Sequence, residues 1–391
     1  MQNNHALLSA SGSERWLNCP PSARLEEQFP KSTTSYADEG TAAHEIAELT
    51  ARYWLNKIKE TAYKNKLAKL SKGEYYNAEM QEHADDYAQI IIQKFNAIKV
   101  NCGDAIVDLE VKSLDFSEWA PEGFGTGDCV IVADDVLEII DFKYGKGVRV
   151  EAEGNTQMRL YALGALKRYG DLYDIKQVRM TIIQPRISAE PDTDEISKDD
   201  LIFWAENFVK PRAALAFAGE GEFNPDENTC KFCRAKEQCR ARTEKNIKLF
   251  DDAPDLDLIT VDEAGELLSK AADITNWLKD LESLIMRSLF EGAPVNGWKL
   301  VEGRSIRKFA DTQKVAETLI AAGYDEATIY EQKLLNLTDM EKTFGKKAIG
   351  EILEDLIYKP KGKPTLAPEQ DRRPEIIPEE LILNAFDDTE D

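Results

Sequence analysis

Residues 125–147 read GTGDCVIVADDVLEIIDFKYGKG, two apolar runs into which Asp128, Asp141 and Lys143 intrude. CVIVA and VLEIIDF have the β-branched composition of strands, and Asp134-Asp135 between them suits a two-residue hairpin turn. With that turn, residues whose numbers sum to 269 face each other, so Asp128 stands opposite Asp141. Like charges about 5 Å apart across a sheet destabilise it, so a cation is expected between them. Side chains alternate with period two, which sets Lys143 on the same face as Asp141 while Val130, Val132, Leu137 and Ile139 continue that face into a core. Paired carboxylates at the end of a buried hairpin suit a hard divalent cation such as Mg2+. A lysine beside them orients water or stabilises charge developing on a phosphate, so the arrangement suits phosphodiester hydrolysis. The plainer alternative is a surface hairpin with solvated acids.

The flanking sequence builds an α/β pattern around this hairpin. Apolar positions recur at helical spacing over residues 36–60, 80–100 and 155–170, and AIVDLEVKSL and QVRMTIIQP read as strands, the latter ended by proline. Helix, strands, helix, strand is the order of an α/β core. From about residue 260 the pattern is mostly helical, with one long helix over 261–292 and a thin strand signal in NGWKLVEGRSIRKF. From about 359 the chain is rich in proline and charge and reads as an extended acidic tail. The expected division is therefore a core domain over 1–250 with a helical insertion at about 45–100, a mainly helical accessory domain over 251–358, and the tail 359–391.

The formal charge of −23 argues against a protein that coats nucleic acid by bulk electrostatics. Residues 251–391 carry −14 of it and residues 1–250 only −9. CKFCRAKEQCRARTEKNIK, residues 230–248, holds seven basic and two acidic side chains, which reads either as a local basic patch or as a solvated helix face. No apolar stretch approaches the ~18 residues of a membrane span, and MQNNHALLSASGSERW resembles neither a secretory signal nor a transit peptide. A cytoplasmic location, in a bacterial host cell, is expected.

G-x-G-D followed thirteen positions later by the acid of I-I-D-x-K resembles the signature of the PD-(D/E)XK nuclease superfamily, in particular its RecB-type exonuclease branch. The resemblance covers about residues 8–245 and implies a restriction-endonuclease-like core, a mixed central sheet flanked by helices. It implies a metal-dependent DNA exonuclease in which Asp128 and Asp141 hold Mg2+ or Mn2+, helped by His44 of EGTAAHE and the backbone carbonyl of Phe142, with Lys143 positioning the water. Gln157 and Tyr161 of NTQMRLY, four apart on one helix face, match the branch's Gln and Tyr and would orient the strand or the lysine. His5 and His83 match nothing and are expected at the surface. Glu110 is either a further site acid or an exposed strand residue, the second being the default.

Six cysteines in a cytoplasmic chain are not expected to form disulfides. Cys230, Cys233 and Cys239 form C-x2-C-x5-C, and Cys19 is the candidate fourth thiolate. One distant cysteine plus a tight triple is similar to the iron-sulfur staple of AddB-type nucleases, which implies a 4Fe-4S cluster in preference to zinc. Cys102 and Cys129 are left over, Cys129 as a small core residue. Residues 290–375 resemble the C-terminal part of an uncharacterised phage and prophage protein family. By analogy this implies processing of free DNA ends in recombination, beside a strand-annealing or single-strand-binding protein. Two rivals stay open: a catalytically inactive DNA-end-binding or assembly protein of the same fold, and an iron-sulfur redox protein.

Overall fold

The computed structural model describes residues 6–30, 35–251, 260–301, 311–323, 337–345 and a few positions from 349 to 356. Two short helices, α1 (Ser13–Asn18) and α2 (Ser22–Leu25), precede α3 (Ser35–Trp54), α4 (Glu60–Leu70) and α5 (Ala78–Asn101). Strands β1 (Ile106–Asp115), β2 (Phe124–Ala133) and β3 (Asp135–Phe142) follow, then α6 (Thr156–Tyr169), β4 (Ile175–Ile183) and β5 (Asp192–Ser197). The chain continues through α7 (Lys198–Trp204), a π-helical turn (Ala205–Val209), α8 (Lys210–Ala218), α9 (Glu227–Lys231), α10 (Arg240–Asp251), α11 (Val261–Phe290), α12 (Thr312–Ala321) and α13 (Leu337–Phe344).

The strands form one sheet in the order β1-β2-β3-β4-β5. Only β3 and β4 pair in parallel, as a crossover through α6 requires; the other pairings are antiparallel. Val130, Val132, Leu137 and Ile139 pack with α6 and α8 on one face, while Cys129, Ile131, Ala133 and Ile140 pack with α3 and α5 on the other. Burial on both faces is why β2 and β3 read as continuous apolar runs rather than alternating ones. The mixed sheet between helical layers is the restriction-endonuclease-like α/β arrangement expected.

The hairpin register is the one expected: Cys129 pairs with Ile140, Val130 with Ile139 and Ala133 with Val136. Asp135 takes φ 70° at the turn, a conformation that short polar side chains tolerate better than most. Strand β5 carries no sequence signal, because DTDEIS is a polar, half-exposed edge strand without an apolar alternation. Residues 36–60 are not one helix. The chain breaks after Trp54, with Asn56 at φ 55°, and restarts as α4.

Two compact units emerge, one of Met1–Val261 with Lys270–Asn296, the other of Asp262–Ser269 with Gly297–Asp391. The second unit contributes α12 and α13 among its described parts. Residues 296–301 form no strand, while 302–310 and the tail from 359 lie outside the described residues. Among the described residues no helix is long and apolar enough to cross a membrane. Within the first unit four of the seven basic side chains of 230–248 face acids. Arg242 binds Asp280 (2.7 Å), Lys236 binds Asp280 (2.9 Å), Lys245 lies 3.8 Å from Asp273, Arg234 lies 3.8 Å from Glu26, and the run's own Glu237 pairs with Arg287. The run forms a seam with α11 and leaves Lys231, Arg240 and Lys248 exposed.

Helix α6 approaches β1 at Gly164, where an added Cβ would lie 2.7 Å from the Leu114 carbonyl carbon. A backbone neighbour cannot rotate away, so Gly164→Ala is expected to destabilise the protein by about 1–3 kcal/mol despite alanine's better helix propensity. Urea denaturation monitored by circular dichroism checks this; an unchanged or higher midpoint would refute the close approach.

Candidate active site

The ladder between β2 and β3 stops at Cys129 and Ile140, and the next acids on each strand diverge in what they touch. Asp128 Oδ2 accepts a hydrogen bond from the Phe142 N–H at 2.8 Å, and its Oδ1 lies 3.3 Å from His44 Nδ1. Asp141 faces the α6 layer: Lys143 Nζ is 3.0 Å from its Oδ2, and Gln157 Nε2 donates to its Oδ1 at 3.4 Å. Gln157 also accepts from Lys143 Nζ at 3.2 Å and donates to the Tyr161 hydroxyl at 3.1 Å. The expected cation between the acids is thus Lys143, seated against Asp141 in particular.

Helix α3 delivers His44 from one side of the sheet and α6 delivers Gln157 and Tyr161 from the other, so the site sits at the sheet's end. Asn155 caps α6, its side chain accepting from the Met158 N–H at 3.1 Å. That fixes the helix start, so positions 157 and 161 both project toward Asp141. Gly125 leaves room for the Tyr161 ring, since a Cβ there would come within 2.4 Å of it. His44 also meets the Phe142 ring edge-on, with centroids 5.6 Å apart.

Two further acids join the site: Glu110, an exposed strand residue by default in the sequence reading, and Glu48, which sequence reasoning missed. Glu110 and Glu48 line one cleft with His44, Ala47, Tyr87, Asp128 and Phe142. Glu110 is half-buried in this cleft, not an exposed strand residue. The β1–β2 register brings Glu110 opposite Asp128, flanked by the pairs Leu109–Cys129 and Val111–Gly127, and its φ of 52° marks a local break in the strand. Glu48 follows His44 by one helical turn, a spacing that was the available signal. His83 is half-buried too, its ring 5.8 Å from that of Tyr144, and His5 lies outside the described residues.

The electrostatics follow from packing acids into an apolar end of a sheet. Burial, with Asp128 adding to it, raises the Asp141 pKa even though Lys143 opposes the shift. Burial would lower the Lys143 pKa, but Asp141 and then Asp128 outweigh it and hold the ammonium charged. Burial likewise works to lower the His44 pKa, and the Asp128 carboxylate more than offsets it. Glu110 is raised by burial first, then by Asp128 and Glu48. Asp141 Oδ2 is buried with the Lys143 ammonium, 3.0 Å away, as its partner.

Carboxylate oxygens and an imidazole gathered at the buried end of a sheet suit a hard divalent cation. Among the described residues no three His, Cys, Asp or Glu side chains converge as the ligands of a bound ion do; the donors are gathered but still engaged with one another. The four singled-out cysteines form a second group. Cys19, Cys230, Cys233 and Cys239 line one cavity with Arg15, Pro225 and Lys236. Burial raises the Cys19 thiol, pushes Cys230 up to about 12 and Cys233 up to about 11. Glu26 ties the two ends of the chain here, accepting from Arg15 Nε at 2.8 Å and from the Arg234 N–H at 2.7 Å. Cys129 is a fully buried core residue, as expected.

Fold and site together define a restriction-endonuclease-like α/β protein with two acids and a lysine on its central hairpin. Within that class the chain belongs to the DUF2800 family, a family of proteins of unknown function whose profile matches residues 5–374. The match spans nearly the whole chain and not only its C-terminal part. Among solved structures, the chain is similar to a candidate exonuclease from Eubacterium rectale, at 13% identity and TM-score 0.30, covering 66% of this chain and 92% of that one. It is also similar to the alkaline exonuclease LHK-Exo from Laribacter hongkongensis, at 16% identity and TM-score 0.22, covering 45% of this chain and 87% of that one. The same enzyme with bound dAMP gives 17% identity and TM-score 0.22 over 46% of this chain and 93% of that chain. Likenesses this distant say nothing about activity.

Because the Asp128 charge is what raises His44, Asp128→Asn is expected to lower the His44 pKa toward or below its ordinary value. NMR titration of the imidazole resonances measures it; an unmoved His44 would mean the pair is not formed in solution.

Proposed function

We propose that this protein is a divalent-metal-dependent deoxyribonuclease, an exonuclease by preference, hydrolysing phosphodiester bonds at free DNA ends. The observation that carries the reading is the cluster at the end of the hairpin: buried Asp141 with Lys143 at 3.0 Å from its Oδ2, beside Asp128 paired with His44. A structural ion pair has no use for a second carboxylate on the next strand, whereas a cation-dependent site does. Asp128, Asp141 and His44, with the backbone carbonyl of Phe142, would hold Mg2+ or Mn2+, and Glu110 stands close enough to Asp128 to contribute. When bound, the ion supplies Lewis acidity toward a phosphoryl oxygen and a more acidic water.

The chain's own groups do the positioning. Lys143, kept charged by Asp141 and Asp128, donates to the attacking water or to a non-bridging phosphoryl oxygen. Gln157 holds the Lys143 ammonium through its Oε1 and is itself steadied by Tyr161. Cys19, Cys230, Cys233 and Cys239 would hold a 4Fe-4S cluster: the four thiols line one cavity, and one distant cysteine with a tight triple is the spacing on which the sequence resemblance prefers a cluster to zinc. The cluster's part would be structural, joining α1 to the segment before α10. A setting in phage or prophage recombination, with a strand-annealing or single-strand-binding partner in a bacterial cytoplasm, rests on the sequence resemblance alone.

Purified protein is expected to degrade linear DNA with Mg2+ or Mn2+ and not with EDTA. Asp141→Ala and Lys143→Ala are each expected to reduce the rate by at least about a hundredfold, while iron content and visible absorbance stay at the wild-type level. Retained cleavage in either clean variant rejects the assignment. Cys233→Ser is expected to lose iron and to lower the thermal midpoint; a variant with unchanged iron and stability would remove the cluster from the proposal.

A further inference from the structure

A nuclease of net charge −23 repels its own substrate unless some surface offers a local positive field. The basic run at 230–248 supplies little of one, because Lys236, Arg242 and Lys245 pair with acids of α11 and Arg234 lies 3.8 Å from Glu26, which leaves Lys231, Arg240 and Lys248 exposed. The opposite holds between residues 57 and 72, KIKETAYKNKLAKLSK, which contain six lysines and one glutamate. All six lysines are exposed. Lys57 lies 3.8 Å from Asp108 and Lys64 pairs with Glu60 at 2.7 Å. Lys59, Lys66, Lys69 and Lys72 have no ion-pair partner among the described residues. Lys59, Lys66 and Lys69 are spaced by seven and three, which keeps them along one side of α4.

The location of α4 connects this stripe to the site. Tyr63, early in α4, stacks on Tyr53 near the end of α3, with ring centroids 4.4 Å apart. Tyr75, just beyond α4, feels the charges of Asp38 and Glu39 at the start of α3. Helix α4 therefore runs antiparallel along α3, the helix that carries His44 and Glu48. Leu67 and Leu70 pack against the core that α3 and α5 share, so the helix is anchored on its apolar side. Packed helices lie about 8–10 Å apart, within reach of a lysine side chain from the flank of the active-site helix. Helix α4 itself buries no residue fully, so its polar side is free to meet a partner.

We propose that α4 is the strand-guiding surface of this protein: Lys59, Lys66, Lys69 and Lys72 bind successive phosphates of the nucleic-acid strand whose end enters the site beside α3. The proposal rests on the nuclease reading for its substrate class. Ion pairs to phosphate carry no base information, so they hold and orient the strand without selecting sequence.

The test is equilibrium binding of a fluorescein-labelled single-stranded oligonucleotide by full-length protein in EDTA, titrated with KCl. It compares wild type with the fourfold variant Lys59→Gln, Lys66→Gln, Lys69→Gln, Lys72→Gln. Removing one lysine–phosphate ion pair flattens the slope of log Kobs against log salt by about 0.7, so the fourfold variant is expected to be shallower by about 3. Lys66→Gln with Lys69→Gln alone is expected to flatten it by about half as much, which guards against a folding defect in the larger variant. Equal slopes in wild type and both variants overturn the surface, and leave the nuclease reading intact if wild type still cleaves with Mg2+. Flattened slopes in both variants, with a wild type that never cleaves, support the surface and reject the nuclease reading. Wild type that binds no oligonucleotide overturns the guiding surface outright.

Discussion

The hydrogen bond from the Phe142 N–H to Asp128 Oδ2 lies where the central hairpin stops being a ladder and becomes a site. Beyond Cys129 and Ile140 no further β2–β3 pair forms, and a buried N–H left without an acceptor would cost about 1–3 kcal/mol. Asp128 satisfies that donor with one oxygen and reaches His44 with the other, which ties α3 to the end of β3. Asp141, one residue before Phe142, is thereby held at the mouth of the sheet, facing α6. The acids, the lysine and the histidine all depend on this one termination of the strand pairing.

A buried carboxylate elsewhere in the sheet has, among the described residues, no second acid beside it, which makes the pair at Asp141 and Asp128 informative. Glu138 on β3 is buried, yet it meets Lys94 of α5 and the Thr181 hydroxyl of β4. Thr181 in turn bonds Thr193 on β5 at 3.0 Å. That network crosses three strands and a helix with its carboxylate paired, as buried charge requires. Asp141 departs from the pattern because burial and the neighbouring Asp128 raise its pKa even with Lys143 beside it, and such departures concentrate where chemistry is done.

Charge is distributed by the same logic of matching and leaving free. Lys236 within the cysteine triple and Arg242 and Lys245 after it face Asp273 and Asp280, so they hold the thiol-bearing segment and α10 to α11. The lysines of α4 are left in solvent. A strongly acidic protein can therefore present a positive surface beside its candidate site without a positive net charge.

The local pattern alone determined a good deal. Two apolar runs on either side of Asp134-Asp135 set the hairpin, and the two-residue turn between them set its register, because the turn length fixes which residues of the two strands face each other. Helical spacing located α5, α6 and α11, and the four-residue step from Gln157 to Tyr161 put both on one face. Edge strand β5 stayed hidden because half-exposed polar residues carry no periodic signal, and Asn56 broke an otherwise helical stretch through a single left-handed residue. Tertiary structure alone decided that Glu110 and Glu48 share the cleft with His44 and that Lys236, Arg242 and Lys245 of the basic run are spent on acids of α11. It also brought Cys19 to a cavity shared with residues more than two hundred positions later. The physical reason is common to all of these. Local periodicity reports which face of an element is apolar, whereas the partner of a charge or a thiol is set by how distant elements pack, and no window of sequence contains both.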